Sequence, residues 1–306
     1  MKLSITCLFL GVAAMQLNAQ NIKMDFPKFS GKSYDFVIFQ GSESKTIVQG
    51  EIPANGKFTI KVPKEYAPYT GMSRWLITGT REGGGLDMFI LGKDYSVSCQ
   101  SAEPNEKNIV FKGNDSYKAL NDLYRQQEGI YKRYESMLFA TKSFSPQDKN
   151  YNVFQNEFES QKNAYSLFQG DLQQKGDYVS QFLQIVNITR GRGTVLYDKE
   201  ADEADNVASY IAKNMNWDVL YTSGHWSSVI TTWASIHGSI LQNKDRFVED
   251  FSLITSKIKD PEKYTDFVKR VLYPLKEQHK DDYIAAIAPV IKNSGKYNDS
   301  DFLAQN

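Results

Sequence analysis

The sequence predicts an α+β protein: an antiparallel β-sandwich or barrel over residues 21–113, then an all-helical domain over residues 114–295. Two observations predict it. Apolar residues recur with period two up to about residue 113 and with helical spacing from there on, and Gly113-Asn114 marks the change. The composition, 41% hydrophobic and 13% aromatic over 306 residues, is enough to bury one large core or two ordinary ones.

"KFTIKV" alternates Phe58, Ile60 and Val62 with Lys57, Thr59 and Lys61, one face buried and one wet, and Asn55-Gly56 just before it is a turn signal expected to form a hairpin. Similar short runs occur at "YDFVIFQ", "KTIVQGEI", "MSRWLIT", "LDMFILG", "YSVSCQ" and "NIVFKG", separated by Gly, Asn, Asp or Pro. About seven short strands at this spacing suit a sandwich or barrel.

The helical part opens at Asn114 or Asp115, either of which can cap. Tyr117, Leu120, Leu123, Tyr124, Ile130, Tyr131, Tyr134 and Leu138 then recur at helical spacing. Ser145-Pro146 starts a second long helix through Phe154, Phe158, Tyr165 and Phe168, so the pair reads as a helical hairpin. Further helices are predicted over 177–190, 202–215, 218–238, 243–258, 260–277 and 280–295. Gly295 is the expected last C-cap, and residues 296–306 form a flexible tail.

Residues 1–20, "MKLSITCLFLGVAAMQLNAQ", place Lys2 before an apolar run from Ile5 to Met15 and small residues around Ala19. This is the pattern of a secretory signal, with cleavage expected near Ala19 or Gln20 and a periplasmic destination. Cys7 lies near the start of the apolar run, outside a lipobox, so cleavage without lipidation is expected. No segment reaches the roughly 18–20 apolar residues of a membrane span. The charges balance at 36 Lys+Arg against 36 Asp+Glu, which gives no electrostatic footprint for nucleic acid.

Cleavage leaves Cys99 as the single cysteine, so the mature chain can form no internal disulfide and holds no C-x-x-C pair. Cys99 continues the face of Tyr95 and Val97 and is read as a core residue. "REGGGLDMF" is read as a hairpin loop, because a strand-like run rather than a helix follows its glycines. "RGRG" offers Arg190 and Arg192 to an anion, against a simpler role for its glycines as a helix stop. The acidic run "DKEADEADN" is read as the solvated start of a helix.

The stretch "DVLYTSGHWSSVITTWASIHG" holds two of the chain's three histidines and two of its four tryptophans. Trp226, Ile230, Trp233 and His237 fall on one stripe of a helix that Ser223 can cap, which is a packing pattern. His237 is three turns from His225, too far for both to hold one metal ion, and no acidic triad partner can be placed from sequence. His225, beside Gly224 at the helix start, can stand at a cleft rim. The candidate binding residues are therefore His225, Trp226, Arg190 and Arg192. No catalytic residue, metal site or cofactor is predicted.

Three features in order, the "GKFTIKVP" module, the "DVLYTSGHWSSVITTW" helix and the terminal "IAPVIKNSGKY", resemble the exported amino-terminal region of Bacteroidota thioredoxin-like proteins. These are the thiol-disulfide oxidoreductase or alkyl hydroperoxide reductase group. The resemblance implies a sandwich module and a helical region that precede a thioredoxin-fold domain carrying the catalytic C-x-x-C. The sequence stops where that domain would begin, so no family catalytic residue is carried over. The expected function is an accessory module for a thioredoxin-fold protein encoded nearby. The alternatives are a stand-alone binder of a peptide, glycan or small ligand, and an unrecognised hydrolase.

Overall fold

A computed structural model describes residues 20–81 and 83–297. Residues 1–19 of the predicted signal peptide, Glu82 and residues 298–306 lie outside the described residues, while Gln20 is buried and hydrogen-bonds the Tyr69 backbone. The strand-rich half is a sandwich of two four-stranded sheets. One sheet has the order β4 (Lys57–Lys61), β1 (Asn21–Asp25), β7 (Tyr95–Ser98), β8 (Val110–Lys112). The other runs β3 (Glu43–Glu51), β2 (Ser33–Gln40), β5 (Thr70–Thr78), β6 (Gly85–Leu91). Ile22, Met24 and Val97 from the first sheet meet Phe36, Ile38, Trp75 and Ile90 from the second in one apolar core. The ladders are antiparallel except that β1 and β7 pair in parallel.

Two local expectations change here. The Asn55-Gly56 turn forms, with the Asn55 Oδ1 accepting from the Lys57 N–H (3.0 Å), but it joins β3 of one sheet to β4 of the other and makes no hairpin. β4 pairs instead with β1, which the sequence reading does not include. The glycine-rich loop after Thr78 does join an antiparallel pair, β5 and β6.

Strands β2, β5 and β6 are apolar on both faces at one end because that sheet is the middle layer of three. Its inner face packs on the partner sheet. Its outer face, through Phe39, Met72, Phe89 and Leu91, packs on Val179, Phe182 and Val186 of α3 (Tyr178–Thr189) and on Leu120 and Leu123 of α1 (Ser116–Ser143). Burial of such runs on both sides is what makes them near-continuously hydrophobic rather than alternating.

The helices follow in the predicted order. α1 and α2 (Tyr151–Lys175) form the antiparallel hairpin, α3 lies across them, and α4 (Glu200–Lys213), α7 (Lys244–Lys257), α8 (Pro261–Glu277) and α9 (Asp281–Ser294) build the main helical core. Gly295 takes the left-handed cap conformation (φ 62°) as expected. Lys296 and Tyr297, assigned to the tail from sequence, pack on this core: the Lys296 Nζ donates to the Ile258 carbonyl (2.9 Å) and Tyr297 is buried.

The predicted helix over 218–238 is two helices. α5 (Trp217–Tyr221) ends and α6 (Trp226–Ser235) begins after a turn through Gly224, at φ 79°, where a Cβ would sit 3.2 Å from the Phe39 ring. The cause is competition for carbonyls. Those of Tyr221 and Thr222 leave the helical ladder to accept from the Gly41 N–H (2.8 Å) and the Met72 N–H (2.9 Å) of the sheet. Ser223 does not cap α6 directly. Its Oγ accepts from the N–H of His225, the N-cap residue. The Trp226, Ile230, Trp233, His237 stripe is fully buried, and α6 runs on into a π-helical segment, Ile236–Leu241.

Cys99 is 1% exposed in the sandwich core, and its Sγ donates to the Asn108 Oδ1 (3.4 Å). Native protein should therefore resist a thiol-labelling reagent until it unfolds, and rapid labelling of the folded chain would overturn this placement. Cys99→Ser should cost about 1 kcal/mol, the low end of the range for a hydroxyl in an apolar site, because Asn108 already presents an acceptor.

Candidate functional site

The β2–β3 turn carries Gly41 and Ser42 into the helical half. Gly41 is at φ 61°, and a Cβ there would lie 2.4 Å from the Asp266 Oδ2, so only glycine lets the turn approach so closely. The Ser42 N–H donates to Asp266 Oδ2 (2.8 Å) and its hydroxyl to Asp266 Oδ1 (2.6 Å). The Ser42 Oγ accepts from the Arg270 Nε (2.6 Å) and from the Ser227 hydroxyl (3.2 Å). Asp266 and Arg270 stand one turn apart on α8, with 3.8 Å between their charged groups.

Beside this latch opens a cleft of about 590 Å³, with Gln40, Ser42, Glu43 and Lys45 on the sheet side and Tyr221, Glu262, Asp266, Lys269 and Arg270 on the helical side. Three cationic side chains, Lys45, Lys269 and Arg270, face three carboxylates, Glu43, Glu262 and Asp266. Such walls suit a ligand or protein surface carrying both signs of charge. Ser42 is not arranged as a nucleophile. Its proton is given to Asp266 and both lone pairs are taken, one of them by a guanidinium, so no electron pair is free for attack.

The four residues singled out from sequence fall in three places. His225 is half-buried at the sheet–helix junction with its ring 5.6 Å from that of Phe182. Trp226 points away from it into the helical core, edge-on to Trp217 (5.7 Å) and Tyr221 (5.3 Å). Arg190 and Arg192 follow α3 in a turn opened by Gly191 at φ 71°. Their guanidiniums lie over the rings of Tyr124 (5.7 Å) and Tyr131 (3.4 Å) and share Glu128 (4.0 and 3.9 Å). The acidic run contributes to the same loop. Glu203 accepts from the Gly193 N–H (2.6 Å) and the Tyr197 N–H (3.1 Å), and desolvation at this half-buried site raises its pKa.

Comparison of the chain with profiles of protein families, with curated proteins and with solved structures gives no match. Among the described residues no group of three or more His, Cys, Asp or Glu side chains could hold a metal ion, and no helix is long and apolar enough to cross a membrane. Acid partners that sequence could not place are now visible. His237 Nε2 lies 3.3 Å from the Asp250 Oδ2, with Trp233 and Phe247 packed on the imidazole, so this pair belongs to the core and not to a cleft. Ser42, Asp266 and Arg270 were not singled out from sequence. The one local signal is the Asp266, Arg270 spacing of four on a helix, which many surface pairs share.

The placement of His225 has a consequence for pH. Desolvation lowers its pKa below the ordinary value of 6.5, with Asp87 opposing the shift and Arg74 adding to it. The unfolded chain then takes up the proton at higher pH than the native one, so the contribution to stability is complete above 6.5 and declines as the solution is acidified. Between about pH 7.5 and about pH 5 the parent protein should lose stability relative to His225→Gln. Parallel stability curves for the two proteins would rule this out.

Proposed function

We propose that the chain is an exported accessory or binding module, related in plan to the amino-terminal region of thioredoxin-like thiol-disulfide oxidoreductases, that recognises its partner at the junction cleft. The observation that carries this reading is the construction of the cleft. Its two walls come from the two halves of the chain, and the Ser42, Asp266 and Arg270 latch holds them in one register. A rigid, charge-patterned surface of this kind gives specificity at little ordering cost. The resemblance of the chain supports a thioredoxin-fold protein encoded nearby as the partner. Cys99 is consistent with that division of labour, because its thiol lies in the sandwich core and any dithiol chemistry is then the partner's. Export rests on Lys2, the Ile5 to Met15 run and Ala19.

The test is a binding measurement between the chain from residue 21 onward and the thioredoxin-fold protein encoded nearest to its gene. Lys45→Glu at the rim should slow association several-fold without altering stability, as a rim charge does. No complex at micromolar concentrations would overturn the accessory reading. The second reading, a stand-alone binder of a peptide or small ligand, is favoured by the cleft's volume, which falls within the roughly 300–1,000 Å³ of small-ligand pockets.

A further inference from the structure

A second hollow, of about 260 Å³, lies where the end of α2 and the start of α3 meet the turn between α4 and α5. Its chemistry differs from that of the junction cleft. Five of its nine lining residues are Asn or Gln and none carries a formal charge, whereas six of the eleven around the cleft are charged. The floor is held in one orientation from behind. Gln184, 3% exposed, accepts from the Tyr210 hydroxyl (2.8 Å) and donates to the Gln169 carbonyl (3.3 Å). Gln169 donates in turn to the Gln127 Oε1 (3.1 Å), which also accepts from the Asn187 Nδ2 (2.7 Å). A network of this kind, buried and mutually bonded, makes a rigid polar base.

Gln181 forms one side. Its Nε2 donates to the Gly176 carbonyl, and its Oε1 is occluded and accepts no hydrogen bond from the chain. An occluded acceptor without a donor is unfavourable, so a hydroxyl that reaches it on a small shift of the amide gains by relieving it. Gln173 and Asn214 stand exposed on the rim, and Ile185 and Met215 supply apolar wall. Primary amides place a donor and an acceptor side by side, which matches neighbouring hydroxyls that each donate and accept. Uncharged walls offer a carboxylate or an ammonium no counter-ion for the water it would give up.

We infer that this hollow is a binding site for a neutral saccharide unit, with a sugar hydroxyl donating to Gln181 and the carbon face of the ring against Ile185 and Met215. The site is separate from the junction cleft and goes beyond the accessory reading. The test is a calorimetric or ligand-observed NMR titration of the chain with neutral methyl hexosides and N-acetylglucosamine, with glucuronate and an N-acetylated amino-acid methylamide as charged and peptide-like counterparts. At least one neutral saccharide should bind saturably and more tightly than either counterpart. The double change Gln173→Ala, Asn214→Ala, at two exposed positions, should weaken it about tenfold, the loss of two modest hydrogen bonds. Lys45→Glu, in the other site, should bind the sugar like the parent. Three results would each overturn the assignment: no neutral saccharide that saturates, a tighter fit for the methylamide or glucuronate, or a double variant that binds as the parent does.

Discussion

Trp233→Ala should lower the stability of the protein by about 3–5 kcal/mol, the range for emptying a large aromatic site in a core. The indole is 0% exposed, stacks on Phe247 at 5.2 Å, meets the edge of His237 at 4.9 Å and lies 6.3 Å from Phe267. Those neighbours come from α7, α8 and the π-helical segment, so the cavity is walled by separate elements and cannot close by the shift of one side chain. The loss is one of packing alone, since the indole N–H makes no hydrogen bond within the chain. For a chain of this size the midpoint of thermal unfolding should fall by roughly 5–8 °C. Tyr273→Ala, 61% exposed on α8, supplies the contrast and should stay within about 0.5 kcal/mol. A Trp233→Ala protein that melts with the parent would show that the ring does not fill the core.

Gly56→Ala should cost the sandwich about 2–5 kcal/mol, from two sources that can be separated. The residue is at φ 71°, where a side chain costs about 1–2 kcal/mol. A Cβ there would also lie 2.3 Å from the Pro27 Cα and 2.4 Å from its nitrogen, backbone atoms that cannot rotate away, and overpacking of this kind costs about 1–3 kcal/mol. Pro27 is further pinned because the preceding Phe26 N–H donates to the Gly56 carbonyl (2.8 Å) and the Phe26 ring packs on Trp75 (4.7 Å). Gly79→Ala isolates the first source. Its φ is 72° and no atom lies within 4 Å of the added carbon, so it should lose only the backbone part. Equal urea midpoints for the two variants would mean that the turn yields and the contact with Pro27 is soft.

Periodicity made the larger plan readable. The change at Gly113-Asn114, the alternation in "KFTIKV" and the long amphipathic hairpin are local properties of the chain, and each appears where its spacing puts it. What spacing could not carry were pairings between distant residues. β1 offers only Ile22 and Met24 as an alternating signal, and its place between β4 and β7 depends on ladders with strands tens of residues away. The break at Gly224 follows from carbonyls that bond to Gly41 and Met72 and not within the helix, which no window along 218–238 contains. The cleft is further out of reach, because Ser42 and Asp266 are 224 residues apart. By contrast the burial of Trp233 was legible, since a stripe of aromatic and branched residues at helical spacing has few ways to avoid a core, whereas Trp226 on the same stripe is offered by the sequence as a binding residue too and is 0% exposed.

The three-layer stacking of the sheet β3-β2-β5-β6 means that the change of periodicity at Gly113-Asn114 is not a boundary in free energy. A piece ending there would leave Phe39, Met72, Phe89 and Leu91 facing water as one greasy plate. The complementary piece would leave the carbonyls of Tyr221 and Thr222 without the Gly41 and Met72 amides they now hold. Neither half has a finished surface of its own. The two halves should therefore unfold together, with coincident transitions for probes placed in the sandwich and in the helices, and an engineer who moves this module between fusion partners should carry both halves.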